Sequence, residues 1–188
     1  RVDRIKASAR HLMMIIDEIL SFSRLETARE ETHIEDFDVV ELVRETVGIV
    51  DAQASAKGIR LSVDDADAPR HWTTDPGKLR QILLHLTGNA IKFTDQGEVA
   101  VVVKLAGDAL VLAVRDTGPG IAPDEIERIF QPFTQIDQSM TRVKDGAGLG
   151  LSVSRRLARL LGGDITVTSE RGKGSNFSVT LPRRTAGS

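Results

Sequence analysis

Three stretches of this 188-residue chain carry residue types whose spacing could hold a flat, anionic ligand. In RQILLHLTGNAIKF, His85, Asn89 and Lys92 are four and three residues apart, so a helix would project all three from one face, beside its apolar stripe. An amide oxygen is a hard ligand suited to Mg2+, and a lysine ammonium meets a phosphate oxygen as a point charge. The same spacing also describes a solvated helix face. In DTGPG, Asp116 to Gly120, a carboxylate is followed by two glycines. Glycines allow close backbone approach to a planar ligand, and a buried carboxylate can accept a hydrogen bond from an exocyclic amine such as that of adenine. Alone, the pattern is equally an ordinary turn. GAGLGL, Gly146 to Leu151, opens a helix whose backbone N–H groups would form an anion site. Its spacing is not that of a dinucleotide fingerprint, and it lacks the P-loop lysine.

The elements that position these stretches follow from periodicity. Asp75 and Pro76 form a cap and first-turn pair for a helix running to about Phe93, buried by Leu79, Ile82, Leu83, Leu86 and Ala90. Upstream, Phe37 to Val63 reads as a short strand, a helix and a second strand. Asp38 and Glu41 have capping-box spacing, Val40, Val43, Val47, Val50 and Ala54 share a face, and Gly58 ends the helix. Strands are expected at Val99 to Leu105 and Leu110 to Val114, joined by a tight turn at Gly107 and Asp108, with Asp116 just beyond. A short helix near Pro123 to Ile129 precedes a polar stretch, Gln131 to Asp145, too long for an ordinary connector and therefore a candidate mobile lid. A helix from about Ala147 to Leu161 and strands near Asp164 to Ser169 and Asn176 to Leu181 close the chain. The expected fold class is α/β, a two-layer sandwich with a mixed sheet packed on helices.

At the N-terminus, Val2, Ile5, Ala9, Leu12, Ile16 and Ile19 recur in alternating steps of three and four, and Met13 and Leu20 widen the stripe. That suits one helix of a bundle whose partner is missing; an amphipathic helix folded against its own domain is the alternative. The chain opens mid-helix without an initiator methionine, so it is expected to be a piece of a longer protein.

Composition bounds the function. Net charge is −2, so no global field draws nucleic acid or an anionic membrane, and an anionic ligand must be held locally. There are no cysteines, which excludes disulfides and thiolate metal sites. No apolar run reaches the roughly 18 to 20 residues of a membrane span. A cytoplasmic location is expected, free or as the cytoplasmic part of a membrane-anchored sensor.

Together the motifs resemble a known family. RQILLHLTGNAIKFT is similar to the asparagine box of sensor histidine kinases, DTGPGI to their first glycine box, IFQPF to their phenylalanine box, GAGLGLS to their second glycine box and GKGSNF to their third. All five stand in family order. IIDEILSFSRLE resembles the second helix of the family's dimerisation and phosphoacceptor domain. The resemblance implies the Bergerat-type ATP-binding fold shared with gyrase, the Hsp90 chaperones and the mismatch-repair ATPases. It also implies a division into residues 1–30 as part of the dimerisation domain, 31–36 as linker, 37–184 as the ATP-binding catalytic domain and 185–188 as tail.

The implied cofactors are ATP and Mg2+. Asn89 would coordinate the metal, Lys92 would meet phosphate, Asp116 would recognise the adenine amine, and Gly118 and Gly120 would line the adenine pocket. Gly146, Gly148, Leu149 and Gly150 would shape the lid hinge and cradle phosphates. Phe130 and Phe133 would anchor the lid and its docking surface, and Arg142 would reach the γ-phosphate. The implied partners are a phosphoacceptor helix of the same or a partner subunit, a homodimeric full-length protein, and a response-regulator receiver domain, with no nucleic acid. Two departures stand out. His85 occupies a position that is commonly asparagine in these kinases and is a water-activating glutamate in the hydrolases of this fold. In addition, none of His11, His33, His71 and His85 has the phosphoacceptor context of a histidine followed by an acidic residue. The fragment is therefore expected to bind nucleotide without phosphorylating itself. A hydrolase and a nucleotide-sensing module are the competing readings.

Overall fold

Period-two burial builds the sheet. In a computed structural model that describes residues 16, 19, 20, 23, 30–134 and 148–183, β4 (Glu98–Ala106) buries Val99, Val101 and Val103. Its antiparallel neighbour β5 (Ala109–Asp116) buries Leu110, Leu112 and Val114 on the same side. Gly107, at φ 60°, makes the expected turn between them. β2 (Arg60–Asp67) joins β4 in parallel, while β7 (Gly174–Pro182) and β6 (Asp164–Glu170) continue the sheet antiparallel beyond β5. The order is β2-β4-β5-β7-β6, a mixed five-stranded sheet as expected. β1 (Glu35–Asp38) and β3 (His71–Thr74) pair separately as a short antiparallel ribbon.

Three helices supply the second layer: α1 (Val39–Ala56), α2 (Pro76–Phe93) and α3 (Gly150–Leu160). The first two start where their caps predict, because Asp38 accepts the Glu41 N–H at 3.0 Å and Asp75 accepts the Lys78 N–H at 3.0 Å. In α2, Leu79, Ile82, Leu83 and Leu86 are each at most 1% exposed, and burial of such a side chain stabilises the fold by about 1.5–3 kcal/mol. These residues share one core with β4, β5, β7 and α3.

Several expectations shift. The buried stripe of α1 is Val39, Leu42, Val43, Thr46, Val50 and Ala54, which keeps Val43, Val50 and Ala54 of the expected face but leaves Val40 and Val47 half-buried. Thr46 can join it because its hydroxyl donates to the Leu42 carbonyl at 2.6 Å. The short helix after Pro123 is two 3-10 turns, Pro123–Glu125 and Arg128–Phe130. α3 begins at Gly150 rather than near Ala147, since Gly148 sits at φ 69°, outside the helical region. Asp116 is the last residue of β5 rather than a residue beyond it.

Ile16, Ile19, Leu20 and Ser23 are helical, and the three apolar residues among them are 41%, 47% and 47% exposed. Arg142, Gly146 and residues 135–145 of the expected lid lie outside the described residues, as do Val2, Ile5, Ala9, His11, Leu12 and Met13.

Candidate nucleotide site

The face predicted on α2 forms: the helix is continuous from Pro76 to Phe93, which aligns His85, Asn89 and Lys92, all half-buried. Lys92 Nζ lies 5.1 Å from the centre of the Phe93 ring. His85 faces α3. Its Nδ1 is 3.1 Å from Ser154 Oγ, and burial lowers its pKa from 6.5 to about 4 against an opposing hydrogen bond to the Gly150 backbone. The imidazole is thus a neutral strut between α2 and the first turn of α3.

Asp116 shares the parity of Leu112 and Val114, which turns it toward the helices, whereas Arg115 points to the opposite, exposed side. Burial raises its pKa, while backbone hydrogen bonds from Gly118, at 2.8 Å to Oδ1, and from Ser175 oppose the rise. The carboxylate therefore stands at a costly place for a charge, the arrangement expected of a group kept for a ligand.

Three glycines let the chain close around it. A Cβ on Gly118 would come within 2.8 Å of Asp116 Oδ1 and 3.3 Å of both the Phe93 carbonyl and Thr94 Oγ1. On Gly174, at φ 100°, it would overlap the Asp116 carbonyl. On Gly120, at φ 69°, it would overlap the Glu170 carbonyl, so this glycine is demanded by packing against the β6–β7 turn. That turn is sewn to the DTGPG loop: Gly172 N–H donates to Pro119 O at 2.7 Å and Ile121 N–H to Ser169 Oγ at 2.8 Å. Ser169 in turn donates to Gly174 O at 2.8 Å and lies 3.0 Å from Ser175 Oγ.

Unlike α1 and α2, α3 has no side-chain cap among the described residues: Leu149, its N-cap residue, is fully buried in the core, so only its backbone could face a ligand. Among the described residues no side chain caps the first turn of α3, whose N–H groups are of the kind that meet an anion or solvent. Gly148 is pinned beside the phenylalanine segment, with Phe133 N–H donating to its carbonyl at 3.0 Å and a Cβ on it meeting Thr134 O at 2.9 Å. Phe133 itself takes φ 61° and is 66% exposed, while Phe130 is half-buried beneath Arg155, whose guanidinium carbon is 4.6 Å from the ring centre.

The structure thus brings Asn89, Lys92, Asp116, Gly118, Gly148 and Gly150 to one side of the sheet around α2. The DTGPG loop abuts its C-terminal turn, and α3 starts against His85. Ser169, Ser175 and Thr94 were missed. Ser175 lies inside the GKGSNF segment, which was quoted only as a glycine box, and Thr94 directly follows the helix. The Thr94 hydroxyl is buried and has no hydrogen-bond partner among the described residues, at the edge of the Gly118 loop. An adenine nucleotide fits this set, with a buried carboxylate and backbone glycines at one end and an amide, an ammonium and uncapped N–H groups at the other. Among the described residues no cluster of three or more His, Cys, Asp or Glu could hold a metal, while the Asn89 amide oxygen is a hard donor of the kind that suits a cation shared with ligand oxygens. No described helix is long and apolar enough to cross a membrane.

Comparison with known proteins agrees with this geometry. Over its full length the chain superposes on full-length ShkA, solved in complex with AMPPNP, with a TM-score of 0.85 and 36% identity, covering 39% of that chain. It is 39% identical over 187 residues to an uncharacterized sensor-like histidine kinase of Rhizobium meliloti (strain 1021), matching 99% of this chain and 36% of the relative. It is likewise 39% identical over 180 residues to the aerobic respiration control sensor protein ArcB of Escherichia coli (strain K12), matching 94% of this chain and 23% of ArcB. The chain spans less than two fifths of each of these proteins. Residues 74–185 match the family described as histidine kinase-, DNA gyrase B- and HSP90-like ATPases, and with its uncapped helix start, its strand-end carboxylate and its sensor-kinase relatives the chain belongs to that family.

Proposed function

We propose that this chain is the catalytic ATP-binding domain of a sensor histidine kinase, which binds Mg·ATP and passes the γ-phosphoryl group to a histidine carried on a segment outside the four histidines present here. The observation that carries the reading is the convergence of Asn89 and Lys92, Asp116 and the uncapped start of α3 around one helix. Asp116 would accept the adenine amine, and Gly118 would let the base approach the backbone. Lys92 and the N–H groups from Gly150 onward would hold phosphate oxygens, Asn89 would supply one metal ligand, and Arg142 and Gly146 would complete the γ-phosphate end. Mg2+, when bound, supplies charge neutralisation for the leaving diphosphate. The chain contributes positioning and electrostatics: the bond from the γ-phosphorus to the β–γ bridging oxygen breaks, a phosphorus–nitrogen bond to the imidazole forms, and the imidazole proton leaves to solvent.

Residues 1–30 would belong to the dimerisation domain of a homodimeric, cytoplasmic sensor, with 31–36 as linker and 37–184 as the catalytic unit. Phe130 and Phe133 would anchor the lid and its docking face, and a receiver domain would accept the phosphoryl group next. A hydrolase role is disfavoured by His85, because an imidazole with a pKa near 4 that already engages Ser154 is a weak base for activating water.

Titration calorimetry with Mg·AMPPNP tests the binding half: the chain should bind, and Asn89→Ala should weaken binding by about 1–2 kcal/mol in Mg2+ with the fold intact. Labelled ATP tests the transfer half. Alone the chain should acquire no acid-labile phosphate, whereas an added intact dimerisation segment should. No phosphate on the added segment would defeat the kinase reading, whereas acid-labile phosphate on the isolated chain would overturn the placing of the acceptor on another segment.

A further inference from the structure

Lys57 lies outside every segment placed so far in the nucleotide site. It is the C-cap residue of α1, where its backbone N–H closes the helix on Ala54 and Ser55. Its side chain crosses to the far end of α2. There Nζ donates to the carbonyls of Ile91 at 2.7 Å, Lys92 at 3.0 Å and Thr94 at 2.8 Å. The last carbonyls of a helix have no partner within it and carry the negative end of the helix dipole, so a cation at this point is favoured twice over. Three converging acceptors also match the three donors of an ammonium better than the planar fork of a guanidinium.

The turn that Lys57 grips does two things. It carries Lys92, the cation on the polar face of α2, and it ends on Phe93 and Thr94, whose carbonyl and hydroxyl lie 3.3 Å from the place a Cβ of Gly118 would take. Thr94 N–H donates to Ala90 O at 3.0 Å, so the helix holds its last bond at the point where the Lys57 ammonium reaches in. A shift of this turn would move Lys92 relative to the loop that bears Asp116.

We infer that Lys57 is a positioning residue for the nucleotide site: its ammonium fixes the last turn of α2 and so sets the distance between the phosphate-facing Lys92 and the Asp116 loop. The inference rests on the nucleotide reading above.

The test compares the 188-residue chain with Lys57→Met and with Val103→Ala, a core change in β4 that destabilises the fold away from the site. Melting temperature measures the general loss in each. Lys57→Met should speed amide hydrogen exchange of residues 92–94 in nucleotide-free protein and lower AMPPNP affinity about tenfold. Val103→Ala should do neither, even at an equal or larger drop in melting temperature. Should Lys57→Met fail to fold, Lys57→Gln, whose amide group has two donors and no charge, carries the same comparison. Wild-type affinity retained in the lysine variant, or an equal loss in Val103→Ala, overturns the inference. Absence of AMPPNP binding by the unmodified chain would instead sink the nucleotide reading itself, which separates the two failures.

Discussion

Each end of α2 is tied to distant chain through a lysine, but in opposite senses. At the N-terminal end Lys78, on the helix itself, is 10% exposed and reaches outward to Glu30 Oε1 at 3.3 Å, the Glu31 carbonyl at 2.6 Å and Asp75 Oδ2 at 3.2 Å. Asp75 also accepts the His33 N–H at 2.8 Å. Burial alone would raise the Asp75 carboxyl, but the His33 and Lys78 N–H groups and the Lys78 ammonium overcome this and hold it below its ordinary value. A cation at a helix N-terminus opposes the dipole and is sustained here by two carboxylates and the Glu31 carbonyl. At the C-terminal end Lys57 arrives from outside, on the favourable side of the dipole, and donates to three carbonyls. The first arrangement joins the segment before β1 to the fold, and the second shapes the site. Stability and ligand geometry are thereby separated along a single helix.

The largest expected effect falls at the stabilising end. Lys78→Met leaves the buried Asp75 carboxylate without its cation and should cost about 3 kcal/mol in urea unfolding. Nucleotide affinity should stay within about twofold, because the change is far along the helix from Asn89 and Lys92. An affinity loss matching the stability loss would erase the distinction between the two ends.

The next effect should have the opposite signature. Asp116→Asn should weaken ATP binding by about 1–3 kcal/mol through loss of a charge-assisted hydrogen bond. It should also raise thermal stability at neutral pH. Because the folded pKa of Asp116 lies above its unfolded value, its contribution is present below the unfolded value and is lost as pH rises through the folded one. The stability advantage of the amide variant should therefore grow as pH rises through the carboxylate range, and a variant that is less stable at pH 7 would contradict the burial argument.

At neutral pH the smallest change is expected in mid-helix. His85→Asn should shift stability by under about 1 kcal/mol if the amide keeps a hydrogen bond to Ser154. The pH profile is more telling. A histidine whose folded pKa is depressed binds more protons unfolded, so its contribution is present above the ordinary value of 6.5 and is lost as pH falls toward about 4. Unfolding curves across that window should slope in the wild type and flatten in the variant; equal slopes would mean that His85 is not held neutral.

What the sequence by itself determined is local. Caps at Asp38 and Asp75, the apolar stripe of α2 and the alternation of β4 and β5 specify their elements because the groups concerned lie within a few residues of one another, where backbone geometry alone sets who meets whom. The alignment of His85, Asn89 and Lys92 along α2 was legible for the same reason, and the motif order carried the family. Local rules failed where packing outvoted them: a buried Thr46 joined the stripe of α1 while Val40 and Val47 stayed half-buried, and the positive φ of Gly148 delayed the start of α3. Only the tertiary structure decided which strands lie side by side, with β7 placed between β5 and β6. It alone set Lys57 on carbonyls 34 to 37 residues away, Lys78 on a carbonyl 47 residues back, and His85 on a serine 69 residues ahead. Contacts of that separation depend on how the layers close over a shared core, and no periodicity in the chain encodes which long side chain will reach which free carbonyl once they do.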